Sequence, residues 1–321
     1  MEAMLLKPTG KDYLWGGNRL NTEYHKGIDL SPLAETWECS VHPDGPSLVA
    51  NGSFEGMTLD KVLAAHPEYM GTKAAAFGSF PILVKFIDAK KDLSVQVHPS
   101  DEYARIHENQ NGKTEMWYVM DALPGASLVC GFAHDVTPEQ LRQGVETGTL
   151  AKHLQKIPVH PGDVFFMPAG TIHAIGAGAL IAEIQENSNV TYRVYDYDRV
   201  DKNGKKRELH FNKALEVLDM KARDAVQQKP RMVHYYPGCS RELLCRCKYF
   251  ETERIQITGA FDFSVLESSF QVLLCLEGRG QVCWENQARP LSFSKGDCIF
   301  LPAGLGRCRI PGEAILLKVR C

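Results

Sequence analysis

Short apolar runs broken by turn residues occupy most of this chain, a pattern that predicts strands more often than helices. Residues 1–57 read as strands and loops, with pieces such as Thr36-Trp37-Glu38-Cys39-Ser40-Val41 lying between turn signals at Gly16-Gly17-Asn18 and Pro43-Asp44-Gly45-Pro46. At Thr58 the pattern changes. Leu59, Val62, Leu63 and Ala65-His66 form a helical stripe that Thr58 can cap and that stops near Pro67, predicting a helical insertion over about 58–77. Residues 81–89 then read as a buried strand, with Lys85 an anomaly inside it, and 95–99 as another. Thr137-Pro138-Glu139-Gln140 combines a cap, a first-turn proline and an early acid, so helices are expected near 137–156. Strands return at 164–167, 180–184 and 190–197, followed by a charged turn at 201–207 and a helix over 212–219.

Beyond Gln227-Gln228-Lys229-Pro230 the chain is almost all short strands, which places a division between 1–228 and 229–321. Pro161 to His173 reappears as Lys295 to Arg307, with Gly, Asp, Phe, Pro, Ala and Gly at the same offsets. A repeat of this length points to one structural unit used twice. In the copy, Arg307 stands where the first unit has His173, and no histidine follows His234, so the second unit is expected to be metal-free.

At 321 residues the chain is long enough for a large core and for two domains. Its charges, 36 Lys and Arg against 39 Asp and Glu, offer no basic field for a nucleic acid or an anionic membrane. The N-terminus Met1-Glu2-Ala3-Met4-Leu5-Leu6-Lys7 does not read as a signal peptide, and no apolar run reaches the roughly 18 residues of a spanning helix. Eight of the ten cysteines fall between Cys239 and Cys321; without a secretion signal they read as reduced core thiols in a cytoplasmic protein. Cys245-x-Cys247 lacks the spacing of a zinc knuckle.

The candidate chemistry lies in the first unit. Gln96 and His98 are two apart in an expected strand and so project to one face, while Glu115 opens an apolar run and His173 follows 58 residues later. This set of N and O donors suits zinc or a similar divalent ion. Lys113 shares the face of Glu115 if the strand begins there; it is read as a substrate or proton-transfer group, or as a solvated loop lysine. Glu183, flanked by Ala182 and Ile184, is the best carboxylate base by its expected desolvation, with a metal or Arg193 partnership as the other reading. Arg193 offers a permanent charge and a planar fork of donors, against the plain reading of a surface ion pair. Buried lysines need partners, and for Lys85 these are a phosphate dianion, with Ser94 as a weaker phosphate contact, or Asp88 or another acid. Trp15 and Trp37 either wall the candidate site or belong to the core.

Gly162, Pro168, Gly170 and His173, spaced G-x5-P-x-G-x2-H, resemble the second cupin motif. Gln96-x-His98 followed by Glu115 resembles the first, with Gln in place of one His and 16 residues before the Glu. These departures, together with Ser94-Val95-Gln96-Val97-His98-Pro99, Lys113-x-Glu115, Glu183-x9-Arg193, Leu14-Trp15-Gly16-Gly17 and Ala34-Glu35-x-Trp37, resemble the short bacterial form of type I phosphomannose isomerases over essentially the whole chain.

The resemblance implies a mainly β protein of two cupin (jelly-roll) units. It implies a zinc-dependent interconversion of mannose 6-phosphate and fructose 6-phosphate through a cis-enediol, with one Zn2+ held by Gln96, His98, Glu115 and His173, and Arg193 as catalytic arginine. The expected partner is a small-molecule sugar phosphate, and the expected assembly a monomer or weak homodimer. The rival readings are another metal-dependent cupin acting on a sugar phosphate, an iron oxygenase, and a non-catalytic sugar-binding cupin.

Overall fold

The structure, a computed structural model, describes residues 1–200, 204–224, 231–285 and 289–321. Part of the expected charged turn at 201–207 and the expected division at 228/229 lie outside the described residues. Among the described residues the fold is mainly β, with open rather than closed sheets of ten, six and five strands. The six-stranded sheet runs Val164–Met167, Glu115–Ala122, Ala179–Glu186, Ile82–Asp88, Glu35–Cys39 and Thr9–Lys11. The five-stranded sheet runs Tyr192–Tyr195, Val95–Val97, His173–Ile175, Ser127–Phe132 and Leu154–Pro158. Ile87, Trp117, Val119 and Ile181 from the first pack against Leu128, Cys130 and Ile175 from the second, so the two sheets face each other across one core.

Strand alternation decides what enters that core. In Ile82–Asp88 and Ala179–Glu186, Ile87 and Ile181 face the five-stranded sheet, whereas Val84, Phe86, Ala182 and Ile184 face a second core against the C-terminal strands. Lys85 and Glu183 share the parity of Ile87 and Ile181 and therefore point between the sheets. Both are buried as expected, but they sit beside charged groups of neighbouring strands and not among their apolar sequence neighbours.

The ten-stranded sheet holds the C-terminal strands together with Met4–Lys7 and Leu48–Val49, Met4 pairing with Phe300 and Leu6 with both Cys298 and Val49. The N-terminal strand thus completes the C-terminal sheet. The internal repeat is real in backbone detail. Gly162 and Gly296 have φ of 91° and 93°, and Gly170 and Gly304 have 86° and 81°. The turn bonds Asp163 N to His160 O and Thr171 N to Pro168 O recur as Asp297 N to Ser294 O and Leu305 N to Pro302 O. A Cβ on Gly296 would lie 2.2 Å from Tyr24 O, so that turn excludes any side chain.

Three helical expectations shift. The stripe after Thr58 forms a helix over Leu59–Ala65 only. The 3-10 turn Pro67–Met70 and the short helix Thr72–Ala75 complete the insertion, and the Thr58 side chain makes no cap bond. Thr137 does form a capping box with Gln140, but the helix Pro138–Glu146 stops before Gly148 (φ 67°), and Leu154–Pro158 is a strand paired with Ser127–Phe132. The last helix is Phe211–Val217. The polar stretch after Pro99 contains an unforeseen helix, Asp101–His107, whose Ser100 cap and acidic first turn are signals present in the sequence. No helix among the described residues is long and apolar enough to cross a membrane.

Candidate metal centre and active site

Two rungs of side chains cross the facing sheets. In the five-stranded sheet Arg193 pairs with Gln96 and Gln96 with His173, so three adjacent strands present these residues on one line. In the six-stranded sheet Trp117 pairs with Glu183, Glu183 with Lys85 and Lys85 with Trp37; Glu115 lies two residues before Trp117, on the same face. His98, one residue past the strand Val95–Val97, joins them through its side chain.

His98, Glu115 and His173 converge. Their ligand atoms all lie within 4.8 Å of one another, and all three residues are buried. The two Nε2 atoms are 3.1 Å apart, and each is 3.4 Å from a Glu115 oxygen. His98 Nδ1 lies 2.9 Å from Val190 O and His173 Nδ1 2.9 Å from Thr171 O. A carbonyl can only accept, so both Nδ1 atoms carry the proton and both Nε2 atoms present lone pairs. Two facing lone pairs and a carboxylate form an acceptor set that calls for a cation. Nitrogen ligands roughly 2.0–2.1 Å from a tetrahedral ion stand about 3.3 Å apart, close to the spacing seen here. Gln96 Nε2 lies 3.4 Å from His173 Nε2, and an amide flip would turn its oxygen to the same point.

Lys113 covers the cluster, with Nζ 2.6 Å from Glu115 Oε2, 3.1 Å from His98 Nε2 and 3.6 Å from Glu183 Oε1. It is buried, which removes the solvated-loop reading. Burial and then the Lys113 charge depress His98 to about 3, and burial also lowers His173. Burial opposes ionisation of Glu115, but Lys113 and the two histidines hold it well below the usual carboxylate range. All three shifts weaken the fold in acid. Between about 3 and the ordinary 6.5, the unfolded chain takes up a proton at His98 that the folded chain refuses. The metal-free protein is therefore expected to lose thermal stability steadily as pH falls from 7 to 4. A flat unfolding midpoint over that range, measured by circular dichroism, would contradict the buried geometry.

Above the cluster lies a cavity of about 250 Å³ lined by Gln96, Lys113, Glu183, Arg193, Lys85, Ser94 and Trp15, so the expected site residues other than the three buried ligands share one wall system. Glu183 accepts from Trp117 Nε1 at 2.9 Å and lies 3.2 Å from Lys85 Nζ. Lys85 is also 3.9 Å from Glu35. Asp88 is not its partner, since that carboxylate accepts instead from Arg19 N at 2.8 Å. Replacing Lys85 with methionine would leave Glu183 and Glu35 short of a counter-charge in a buried place. The expected loss is about 3–5 kcal/mol of stability in a denaturant titration.

Arg193 is half-buried: one guanidinium nitrogen donates to Glu208 O at 2.7 Å while its Nε is buried without a hydrogen-bond partner. Burial, then the nearby Arg207 charge, lowers its pKa from the ordinary value. Arg193 is thus a cavity-wall cation and not a surface ion pair. Trp37 is wholly core, its indole donating to Glu35 at 2.9 Å.

Sequence reasoning assigned no role to Glu35, Tyr13, Asn189, Thr191 or Arg207, all of which line the cavity. Glu35 was within reach, because Glu35-x-Trp37 places two polar-tipped side chains on one strand face. Arg207 carried no signal; its position depends on Asp196, to which its Nε donates at 2.8 Å.

Residues 4–132 match the catalytic domain of type I phosphomannose isomerase, and residues 241–321 the cupin domain of mannose-6-phosphate isomerase. The chain is 37% identical over 315 residues to mannose-6-phosphate isomerase ManA of Bacillus subtilis, covering 98% of this chain and 97% of that one. It is 37% identical over 314 residues to the Streptococcus mutans mannose-6-phosphate isomerase, covering 97% and 96%. The crystal structure of the Bacillus subtilis mannose 6-phosphate isomerase superposes with a TM-score of 0.90 at 34% identity, covering 99% of both chains. By full-length similarity and shared fold, this chain belongs to the type I phosphomannose isomerase family.

Proposed function

We propose that this protein interconverts mannose 6-phosphate and fructose 6-phosphate through a cis-enediol, using one zinc ion held by His98, Glu115, His173 and Gln96. The observation that carries the reading is the convergence of two imidazole lone pairs and a carboxylate beneath a polar cavity with Arg193 on its wall. The chemistry requires a proton to leave the carbon next to a carbonyl and return to its neighbour. When bound, a divalent ion supplies positive charge to the sugar oxygens. Neutral Gln and His ligands with a single carboxylate leave that charge largely intact.

The remaining roles fall to the chain's own side chains. Glu183 is the base, facing the cavity beside two ammonium groups that balance its charge. Lys113, in ion pairs with both Glu115 and Glu183, bridges these two carboxylates and faces the sugar oxygens. Arg193 faces the oxygen on which negative charge develops. The phosphate is read onto Ser94 and Lys85 with Arg207; Lys85 already shares its charge with Glu183 and Glu35, so Arg207 carries more of the binding. In this reading residues 1–228 form the catalytic unit and 229–321 a metal-free one.

The direct test is turnover of mannose 6-phosphate by the metal-stripped protein, alone and with zinc restored without oxygen. Restoration under these conditions excludes an oxygenase, and absence of any turnover overturns the mannose 6-phosphate reading in favour of another sugar-phosphate cupin or a non-catalytic sugar-binding one. Glu183→Gln is expected to suppress exchange of the C2 hydrogen with solvent by about 10²–10⁴-fold. Full retention of exchange, followed by NMR in deuterated water, would remove Glu183 as the base.

A further inference from the structure

Hydrogen bonds fix the end of the 16-residue stretch between His98 and Glu115, and one chain of them leads to the ten-stranded sheet. Lys113 N donates to Pro99 O at 3.0 Å, closing the segment on itself. Thr114 N donates to Glu186 Oε1 at 2.7 Å, and Glu186 N to Thr114 O at 3.0 Å, locking the residue before Glu115 to the neighbouring strand. Gly112 N donates to Asp101 Oδ1 at 3.1 Å, and the other oxygen of Asp101 accepts the Tyr249 hydroxyl at 3.0 Å.

Tyr249 belongs to the turn between the strands Cys239–Arg246 and Glu251–Ile257 of the ten-stranded sheet, which contributes no residue to the ion cluster. Its ring is half-buried beside Phe77 of the helical insertion, at 6.0 Å between centroids. The segment has little freedom to absorb a change here. A Cβ on Gly112 would lie 2.3 Å from Asp101 N, so the two backbones are already in contact. Glu186, buried and hydrogen-bonded to Asp101, is pushed up to about 8 by burial and by the Asp101 charge, which makes it the proton donor of that pair. Tyr249, Asp101 and Glu186 together hold the backbone at both residues that precede Lys113 and Glu115.

We propose that Tyr249 is a positioning residue for the ion site, acting through Asp101 and Gly112 on the segment that delivers Lys113 and Glu115. This gives the C-terminal strands a part in the reaction although none of their described residues lines the cavity. The inference rests on the metal reading above.

The experiment uses the full chain stripped of metal, with zinc affinity read by competition against a chromophoric chelator. Tyr249→Phe keeps the ring and deletes the hydroxyl. It is expected to bind zinc about tenfold more weakly, the low end of what outer partners of metal ligands contribute, with the unfolding midpoint of the stripped protein unchanged. Lys248→Met, which removes an exposed ion pair to the same Asp101 at 3.6 Å, is expected to leave zinc affinity as it was. Should the Phe variant fail to fold, Asp101→Asn is read the same way. Wild-type affinity in Tyr249→Phe overturns the positioning role while the metal reading stands. A wild-type protein that takes up no zinc overturns the metal reading itself, and this inference with it.

Discussion

Replacing His173 with alanine is expected to lower mannose 6-phosphate turnover by about 10³-fold or more and to reduce the zinc content of the purified protein. The imidazole is buried, its Nδ1 is committed to Thr171 O, and its Nε2 is 3.1 Å from His98 Nε2 and 3.4 Å from Glu115. Removing it leaves the ion two close protein ligands and Gln96, and replaces a lone pair with empty space. A charge contribution of about 4 kcal/mol to the transition state corresponds to a factor of about 10³ in rate. The fold should survive, because deleting an imidazole from an acceptor cluster also relieves the repulsion between facing lone pairs. Elemental analysis and steady-state kinetics on one preparation decide the matter. If the variant, or a chelator-treated wild type, turns over at the normal rate, the metal mechanism is wrong.

Arg193→Ala is the second large effect. The arginine stands on the rung that carries Gln96 and His173, one strand further from the ion, with its buried Nε free of hydrogen bonds. A fixed cation in that place stabilises charge that appears on a substrate oxygen, and removing one such donor typically lowers kcat by about 10²–10³-fold. Arg193→Lys should not restore the rate, because an ammonium cannot reproduce the planar fork held by Glu208 O. The split between kcat and KM assigns the role. A fall in kcat at nearly constant KM places Arg193 at the reacting carbons. A rise in KM alone would move it to the phosphate, and no change in either would remove it from the site.

The candidate site was legible in the sequence because its residues are set by local pattern. Gln96 and His98 flank Val97 at the end of a strand, the Gly-Pro-Gly turn fixes the approach to His173, and Glu115 opens an alternating run. The mainly β architecture was legible for the same reason, and so was the internal repeat, whose glycines hold the same positive φ in both copies. Where local pattern stops short, the reading stopped with it. The expected helical stretch ran on to residue 156, although Leu154–Pro158 is a strand, since a five-residue segment is decided by its partner Ser127–Phe132 and not by its own periodicity.

Neighbours in sequence described the surroundings of Lys85 and Glu183 wrongly, and the cause is general. On a strand the adjacent residues point to the opposite face, so the environment of a side chain comes from the next strand. The Glu183–Lys85 pair, the Trp117 donor and the Glu35 contact all cross strands far apart in the chain. Sequence alone therefore determined which residues can bind an ion and which turns bring them near. The tertiary structure decided that two histidines and a glutamate share one point, that Arg193 stands on their rung, and that Tyr249 holds the segment between them. Those are distances between separate strands, fixed by how sheets pair and pack, and no local pattern encodes them.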